Sequence, residues 1–554
     1  MMCSYRMVFF FVIAGGIAAG CAILTSGLSR AAEPAAHPAL FATSDQCMAC
    51  HSNVHTPGGE DISIGYQWRT TMMANSARDP YWHAGVRRES MDHPNARAAI
   101  EDTCSTCHMP MARYQAHSAG GAGQVLSFVD MFRASIAAGA PPQTEIALAM
   151  DGVSCTTCHQ IREDNFGTEE NFDGGFLVDV TKPTEERVIY GRFEIDTGRT
   201  RLMHSATGFT PTQSSHLQKS ELCASCHTLF TRALDDRGNP AGVLPEQVPY
   251  HEWLESDYAE TASCQSCHMP RVAGDAQISS VLGQPREDVS RHVFVGGNAF
   301  MQRIFKIYRD ELGVPALPEE LEAAAVRTEE HLATQTAALE ISNARLDGGR
   351  LSFDVTVRNQ AGHKLPTAYP SRRVWLHVTV RSADGTIVFE SGAPQSDGSI
   401  AGNSNDADRG SFEPHYARIS EPDQVQIYES IMGDFNGRVT TGLLYGVRYL
   451  KDNRLLPDGF DKARAAEEVA VRGEAANDAD FGGGSDTISY DVDAGIGASP
   501  WTVTVVLYYQ SIGYRWAVNL RDYDAAETRR FLRYFEAQSE TSSKLLAREE
   551  LSLP

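Results

Sequence analysis

Ten cysteines of this chain fall into five identical frames, each a pair three residues apart followed directly by histidine. They are Cys47-Met-Ala-Cys50-His51, Cys104-Ser-Thr-Cys107-His108, Cys155-Thr-Thr-Cys158-His159, Cys223-Ala-Ser-Cys226-His227 and Cys264-Gln-Ser-Cys267-His268. C-x-x-C-H is the attachment frame of c-type haem. Two thiols at this spacing reach the two vinyl groups of one porphyrin, and the neighbouring imidazole lies under the ring as an axial iron ligand. A redox C-x-x-C pair or a Cys₂His₂ zinc site uses the same atoms once. Neither explains five copies with histidine always in the same place. The chain has twelve cysteines, and Cys3 and Cys21 lie in the apolar N-terminal run. None is left over for a disulfide framework, which the other reading of a cysteine-rich exported chain would need.

The ligand opposite each proximal histidine decides whether a haem only carries electrons or can also bind substrate. Eighteen histidines less five proximal ones leave thirteen for at most five positions. His216 precedes Cys223 by seven residues, and His292 sits beside a glycine pair at Gly296-Gly297. His363 lies in Gly362-His363-Lys-Leu-Pro366-Thr367, a loop between strands. These three are the imidazole candidates. Met73 is a thioether candidate, although methionine pairs are more often core filler. His117, His204 and His251 have weaker contexts, and His37, His55 and His331 are discounted.

At these residues the chain resembles the cytochrome c-554-like multihaem family, which includes a tetrahaem electron carrier of nitrifying bacteria, and larger exported cytochromes with an appended β-domain. The resemblance rests on the five frames and the tails His108-Met109-Pro110 and His268-Met269-Pro270. It rests also on Trp68-Arg-Thr-Thr71, Trp253-Leu-Glu-Ser256 and Gly362-His363-x-x-Pro366-Thr367, and covers roughly 45–380. It implies distal roles for His292 and His363. In that family a W-x-x-S-x-H element supplies a distal histidine; here Met73 and Tyr258 stand in that place. The two Trp elements also form a loose internal repeat.

The elements around the frames change character along the chain. Polar stretches rich in Gly, Pro, Ser and Asp separate the frames, so helices and loops packed on porphyrins are expected. Helices are expected at 95–102, 125–138, 299–311 and 318–338. Beyond Leu339 the apolar period becomes two. Leu351, Phe353, Val355 and Val357 form one such run, and Val374, Leu376, Val378 and Val380 another. Further strands are expected at 425–428 and 501–509, with 473–497 as a long polar loop or two hairpins and 525–550 as helix. The expected architecture is therefore multidomain: a leader or anchor at 1–31, an α-helical, loop-rich pentahaem cytochrome domain at 32–338, an all-β sandwich at 339–515 and a C-terminal helical tail at 516–554.

The chain has 554 residues, 42% hydrophobic and 21% charged, which excludes disordered and polytopic membrane classes. Its net charge of −23 repels phosphate backbones, so no nucleic-acid partner is expected; a basic protein redox partner is. Val8 to Leu28 is apolar or small apart from Thr25 and Ser26, and Ser29-Arg30-Ala31 offers a small-x-small cleavage site. Cleavage, an uncleaved anchor and lipidation at Cys21 all remain open. Each places the chain in the periplasm or on the outer face of the cytoplasmic membrane, where c-type haems are attached. Asn403, Asn405, Asp406, Asp408 and Glu413 crowd oxygen ligands into one loop, a possible calcium site.

Two functions compete for the haem region, beside a binding or assembly role for the sandwich towards a partner or other copies. One is an electron-transfer cytochrome with five haems. The other is a reductase or oxidase of a small nitrogen or sulfur oxyanion at one open haem, for which Arg78, Arg87, Arg88 and Tyr81 are candidate donors.

Overall fold

In a computed structural model, residues 39–183, 186–495 and 499–554 are described; the leader or anchor expected at 1–31 lies outside them. Up to about residue 335 the chain forms short helices joined by loops, and the frames start or end helical turns. Cys47 lies in Ser44–Met48, the third frame opens Cys155–Cys158, and the fifth is the helix Cys264–His268. The second frame closes a longer helix, Arg97–His108, which runs six residues past the expected end. Pro80–Asp92 is set by its start: Pro80 occupies the first turn, and the Asp79 carboxylate accepts from the Tyr81 and Trp82 amides at 2.8 and 3.3 Å.

Val125–Ala138 matches its expected span and stops at Gly139, whose φ of 62° supplies the left-handed cap. The 299–311 helix is broken into Ala299–Ile307 and Arg309–Leu312. Pro318–Gln335 buries Leu321, Ala324, Ala325 and Leu332 on one face and hands over to a strand at Ala337.

Two sheets follow. Ala337–Asp347 turns through Gly348-Gly349, both at positive φ, into Arg350–Asn359, which pairs with Ser485–Asp493; Arg418–Ile419 completes four strands. The larger sheet runs Val439–Thr440, Ile427–Gly433, Arg373–Arg381, Trp501–Gln510, Ser543–Leu553, with Arg448–Asp452 and Ile387–Ser391 as side pairings. Their facing sides share one core. Leu351, Phe353, Val355 and Val357 meet Val374, Leu376, Val378, Val380, Val503, Val505 and Leu507 there, and Phe353 stacks on Tyr490 at 5.0 Å.

Two expectations are corrected. The polar stretch 473–497 holds a central strand, Ser485–Asp493; its inward positions are Asp486, Ile488, Tyr490 and Val492, and the carboxylate at the first masks the period of two. The tail is helical only at Ala526–Gln538. Ser543–Leu553 pairs along the whole of Trp501–Gln510, burying Leu546, so the C-terminus belongs to the sandwich. The helix before it returns to the haem-frame region. Phe531, Tyr534 and Phe535 join Phe300 and Phe305 in one cluster, and Glu527 binds Arg87 through two 2.9 Å contacts. Ala39–Pro554 accordingly forms a single unit. No helix among the described residues is long and apolar enough to cross a membrane.

Candidate functional site

Four of the five frame histidines are oriented by backbone carbonyls. Nδ1 of His51 faces the Ile278 carbonyl at 2.6 Å, that of His159 the Tyr190 carbonyl at 2.6 Å and that of His108 the Ser76 carbonyl at 3.2 Å. His268 makes the same contact with Val295. A carbonyl can only accept, so each ring carries its proton on Nδ1 and keeps the Nε2 lone pair free, as axial ligation requires. Burial favours the neutral form of four of the five frame histidines: it lowers the pKa of His51 and His159 and brings His108 and His227 to about 4. Trp82 stacks on the His108 ring at 4.3 Å with planes 2° apart.

Two frame histidines look at a second imidazole. The His159 and His292 centroids are 6.4 Å apart with ring planes inclined by 12°. Those of His268 and His363 are 6.2 Å apart at 14°. In both distal rings Nδ1 is again turned to a carbonyl, that of Ser290 at 3.3 Å and of Lys364 at 2.9 Å. The centroid separation in each pair would leave room for one metal ion between the two imidazoles. These donor sets suit haem iron, and the cysteine pairs beside them suit its thioethers.

The Trp elements build the two pairs alike. Trp68 donates its indole N–H to the Val153 carbonyl at 3.0 Å, and Trp253 donates to Ala262 at 2.9 Å; both carbonyls lie two residues before a frame. The residue preceding each Trp holds the segment of the second imidazole. Gln67 Oε1 accepts from the His292 amide at 3.0 Å, and Glu252 Oε2 from the Lys364 amide at 3.2 Å. The two Trp elements thus repeat one construction, but at the third and fifth frames, whereas the sequence repeat with its His-Met-Pro tails pairs the second frame with the fifth.

His363 comes from the sandwich and is locked by buried charges. Lys364, fully buried, reaches Asp452 at 2.8 Å; Arg454 binds both Asp452 and Glu252 at 2.8 Å. Their mutual pairing brings the Asp452 pKa far below the carboxylate range despite burial.

The frames also touch one another. The Cys47 and Cys155 sulfurs, those of Cys107 and Cys226, and those of Cys223 and Cys264 are within hydrogen-bonding reach. Cys158 is close enough to Cys223 and Cys226 to feel their charge. Frame four therefore adjoins frames two, three and five, and frame three adjoins frame one.

Other expected residues are placed differently. His216 is buried with both nitrogens in use: Nδ1 meets Ser214 Oγ at 2.6 Å and Nε2 the Ile161 carbonyl at 2.8 Å, so this ring has no lone pair to offer an iron. Met73 lies on the stretch whose backbone closes on the third frame, its carbonyl accepting from Val153 N at 3.0 Å. Tyr258 donates its hydroxyl to the Gln360 carbonyl at 3.1 Å, a packing role.

The arginines proposed as open-site donors are committed elsewhere, Arg78 to Gly313, Arg87 to Glu527 and Arg88 to Thr441. The calcium loop is corrected too. Asp406 is spent on Arg373 and the Ile400 amide, Glu413 on the Ser404 amide and Tyr416, and Asp408 on Gly410 and Ser411. Their oxygens face protein donors rather than one another.

His415, Asp478 and Asp486 bring metal-type ligands together inside the sandwich. Their hydrogen bonds oppose a metal. His415 Nδ1 accepts from Gln426 Nε2 at 2.9 Å and Asn453 Nδ2 at 3.1 Å. Both amides are fixed, because their oxygens accept from the Tyr416 and Glu429 N–H groups. The ring proton is therefore on Nε2, facing Asp478 at 3.2 Å, and no lone pair remains.

The fold is shared with a multihaem c-type cytochrome. The relative is a penta-heme cytochrome c552 from Thermochromatium tepidum, matched with a TM-score of 0.52 over 93% of this chain and 100% of that one, at 15% identity. No family model and no curated protein sequence matches the chain.

Sequence reasoning missed the carbonyls of Ile278, Ser76, Tyr190 and Val295, which carry no side-chain signature. It also missed the Glu252–Lys364–Asp452–Arg454 network. Only its Lys364, next to His363, was within reach of a motif.

Proposed function

We propose that this chain is an exported pentahaem c-type cytochrome that carries electrons between protein redox partners. The observation that carries the reading is the joining of five C-x-x-C-H frames with two opposed imidazole pairs, His159–His292 and His268–His363. In this reading the ten frame cysteines hold the haems. His51, His108, His159, His227 and His268 are the proximal ligands, and His292 and His363 fill distal positions. Met73 is the candidate thioether for a haem without a second imidazole. Bound haem supplies one-electron iron chemistry. The protein's share is to fix the tautomers of His51, His108, His159 and His268 through backbone carbonyls, to favour the neutral form of His51, His108, His159 and His227 by burial, and to bring neighbouring frames into contact. Frame four adjoins three others and is the junction of the set. The net charge of −23 suits docking of a basic partner. The leader supports export to the periplasm or the outer face of the membrane.

A second reading, conversion of a small nitrogen or sulfur oxyanion at one open haem, is favoured by one feature. Tyr81 lies within hydrogen-bonding reach of Tyr369 and Ser371, and Arg372 is near enough to His227 to feel its charge. Near-infrared magnetic circular dichroism on the oxidised holoprotein, with haem counted after acid extraction, separates the two. Five covalent haems, all low-spin and reversibly reducible, are expected, and a sulfur-to-iron band would assign Met73. A high-spin share worth one haem would favour the second reading. Absence of covalent haem would overturn both.

A further inference from the structure

We propose that Trp82 is the positioning residue of the second haem: its indole fixes the plane of the His108 imidazole, and through it the electronic state of the iron. The inference rests on the haem reading above and adds a residue that no attachment frame contains. Trp82 lies face to face with His108, the ring centroids 4.3 Å apart and the planes 2° from parallel. Among the described residues no other frame histidine has an indole, phenol or phenyl ring on its face; the rings facing His159 and His268 are imidazoles.

The second frame relies on this contact more than its neighbours do. Nδ1 of His51 and of His159 meets its carbonyl at 2.6 Å, whereas His108 reaches the Ser76 carbonyl at 3.2 Å, the long end of the hydrogen-bond range. That bond constrains the ring less against rotation about the iron–Nε2 axis. A stacked indole resists the same rotation, because turning the imidazole breaks the face contact.

One stretch of chain holds the ring on two sides. Ser76 meets its edge and donates its hydroxyl to the His108 carbonyl at 2.9 Å, while Trp82 covers its face. Beside Trp82, His83 Nε2 donates to the Ala77 carbonyl at 2.8 Å and ties the start of the helix Pro80–Asp92 back to the Ser76 turn. Farther along that helix, Arg88 donates to the Thr441 carbonyl at 2.8 Å, and Glu89 accepts from the Leu443 and Leu444 amides at 2.8 and 3.2 Å. The helix is thereby anchored to the sandwich, and the indole has a fixed place from which to hold the imidazole. Low-spin iron senses the plane of its axial ring, and apolar cover on that ring keeps water away and favours the reduced, less charged iron.

The test uses the full holoprotein with Trp82→Leu, which removes the planar ring, and Trp82→Phe, which keeps a smaller one. Electron paramagnetic resonance of the oxidised protein and a redox titration are the readouts. In Trp82→Leu the low-spin signal of one haem in five is expected to shift its largest g value, and the midpoint potential of that haem to fall. Trp82→Phe should stay near wild type in both. The shifted signal should persist in the His292→Ala and His363→Ala backgrounds, since it belongs to a different frame. Signals and potentials of Trp82→Leu that superimpose on wild type would refute the inference, whatever the melting temperature does. So would a Trp82→Phe protein as altered as Trp82→Leu. Should Trp82→Leu not fold, 5-fluorotryptophan incorporated into the otherwise unchanged protein decides. The Trp82 fluorine resonance, assigned by its absence from Trp82→Phe, is expected to shift or broaden on oxidation, and an identical resonance in both redox states would overturn the stack. Absence of covalent haem would instead remove the haem reading itself.

Discussion

His292 faces His159 across 6.4 Å between ring centroids, with the two planes 12° from parallel and both Nδ1 atoms turned to backbone carbonyls. Two imidazoles so arranged, each with its Nε2 lone pair free, are a preformed pair of axial ligands. Burial brings the His292 pKa down to about 3, which favours the neutral, ligating form of the ring near neutral pH.

Replacing His292 with alanine is expected to convert one haem in five to high spin and leave the other four unchanged, read by electron paramagnetic resonance and magnetic circular dichroism. His363→Ala should do the same to a different haem, and the double variant should show two. An unaltered low-spin spectrum in either single variant would remove that histidine from the ligand set.

The charges behind His363 should act through position and stability together. Lys364→Met leaves Asp452 with Arg454 alone in a fully buried site. Breaking a buried pair in this way costs about 3–5 kcal/mol, visible in urea denaturation. A fraction of the fifth haem should become high-spin in the folded variant, which a purely structural role would not produce.

Glu246 makes stability fall as pH rises. It is buried, accepts from the Thr231 hydroxyl, and burial raises its pKa from 4.5 to about 7. Protonation is therefore favoured in the folded state. Its contribution is present below about pH 4.5 and is lost as pH climbs towards 7, to a total of order 3 kcal/mol. Glu246→Gln should flatten this segment of the pH–stability curve and raise the melting temperature at pH 8. Identical curves for the two proteins would refute the assignment.

Removing Ser543–Pro554 should damage the sandwich rather than trim a tail. The strand pairs along all of Trp501–Gln510 and buries Leu546. Its loss exposes an apolar strand edge, and the truncated protein is expected to melt earlier and to aggregate. A truncated protein with an unchanged melting temperature would contradict the pairing.

Covalent chemistry was legible in the sequence because it is local. A cysteine pair three apart with an adjacent histidine is complete within five residues, so no folding information is needed to read it. The same holds for Val125–Ala138 and for the strands whose apolar residues alternate without interruption. Where one polar group broke the alternation, as Asp486 does in Ser485–Asp493, a central strand read as loop.

What lies opposite each frame depended on tertiary structure, because those partners are distant in the chain. His292 is 133 residues beyond His159, and His363 is 95 beyond His268, by subtraction of their positions. His216, the candidate nearest to a frame in sequence, was turned away by two hydrogen bonds that only the fold creates. The carbonyls that set each ring tautomer and the contacts between frames carry no residue-type signal at all. The sequence by itself determined where haem can be attached and how often. Only the packing of the haem-frame region against the sandwich decided which imidazoles meet, since a lone pair is aimed by the whole backbone around it and not by the residue that bears it.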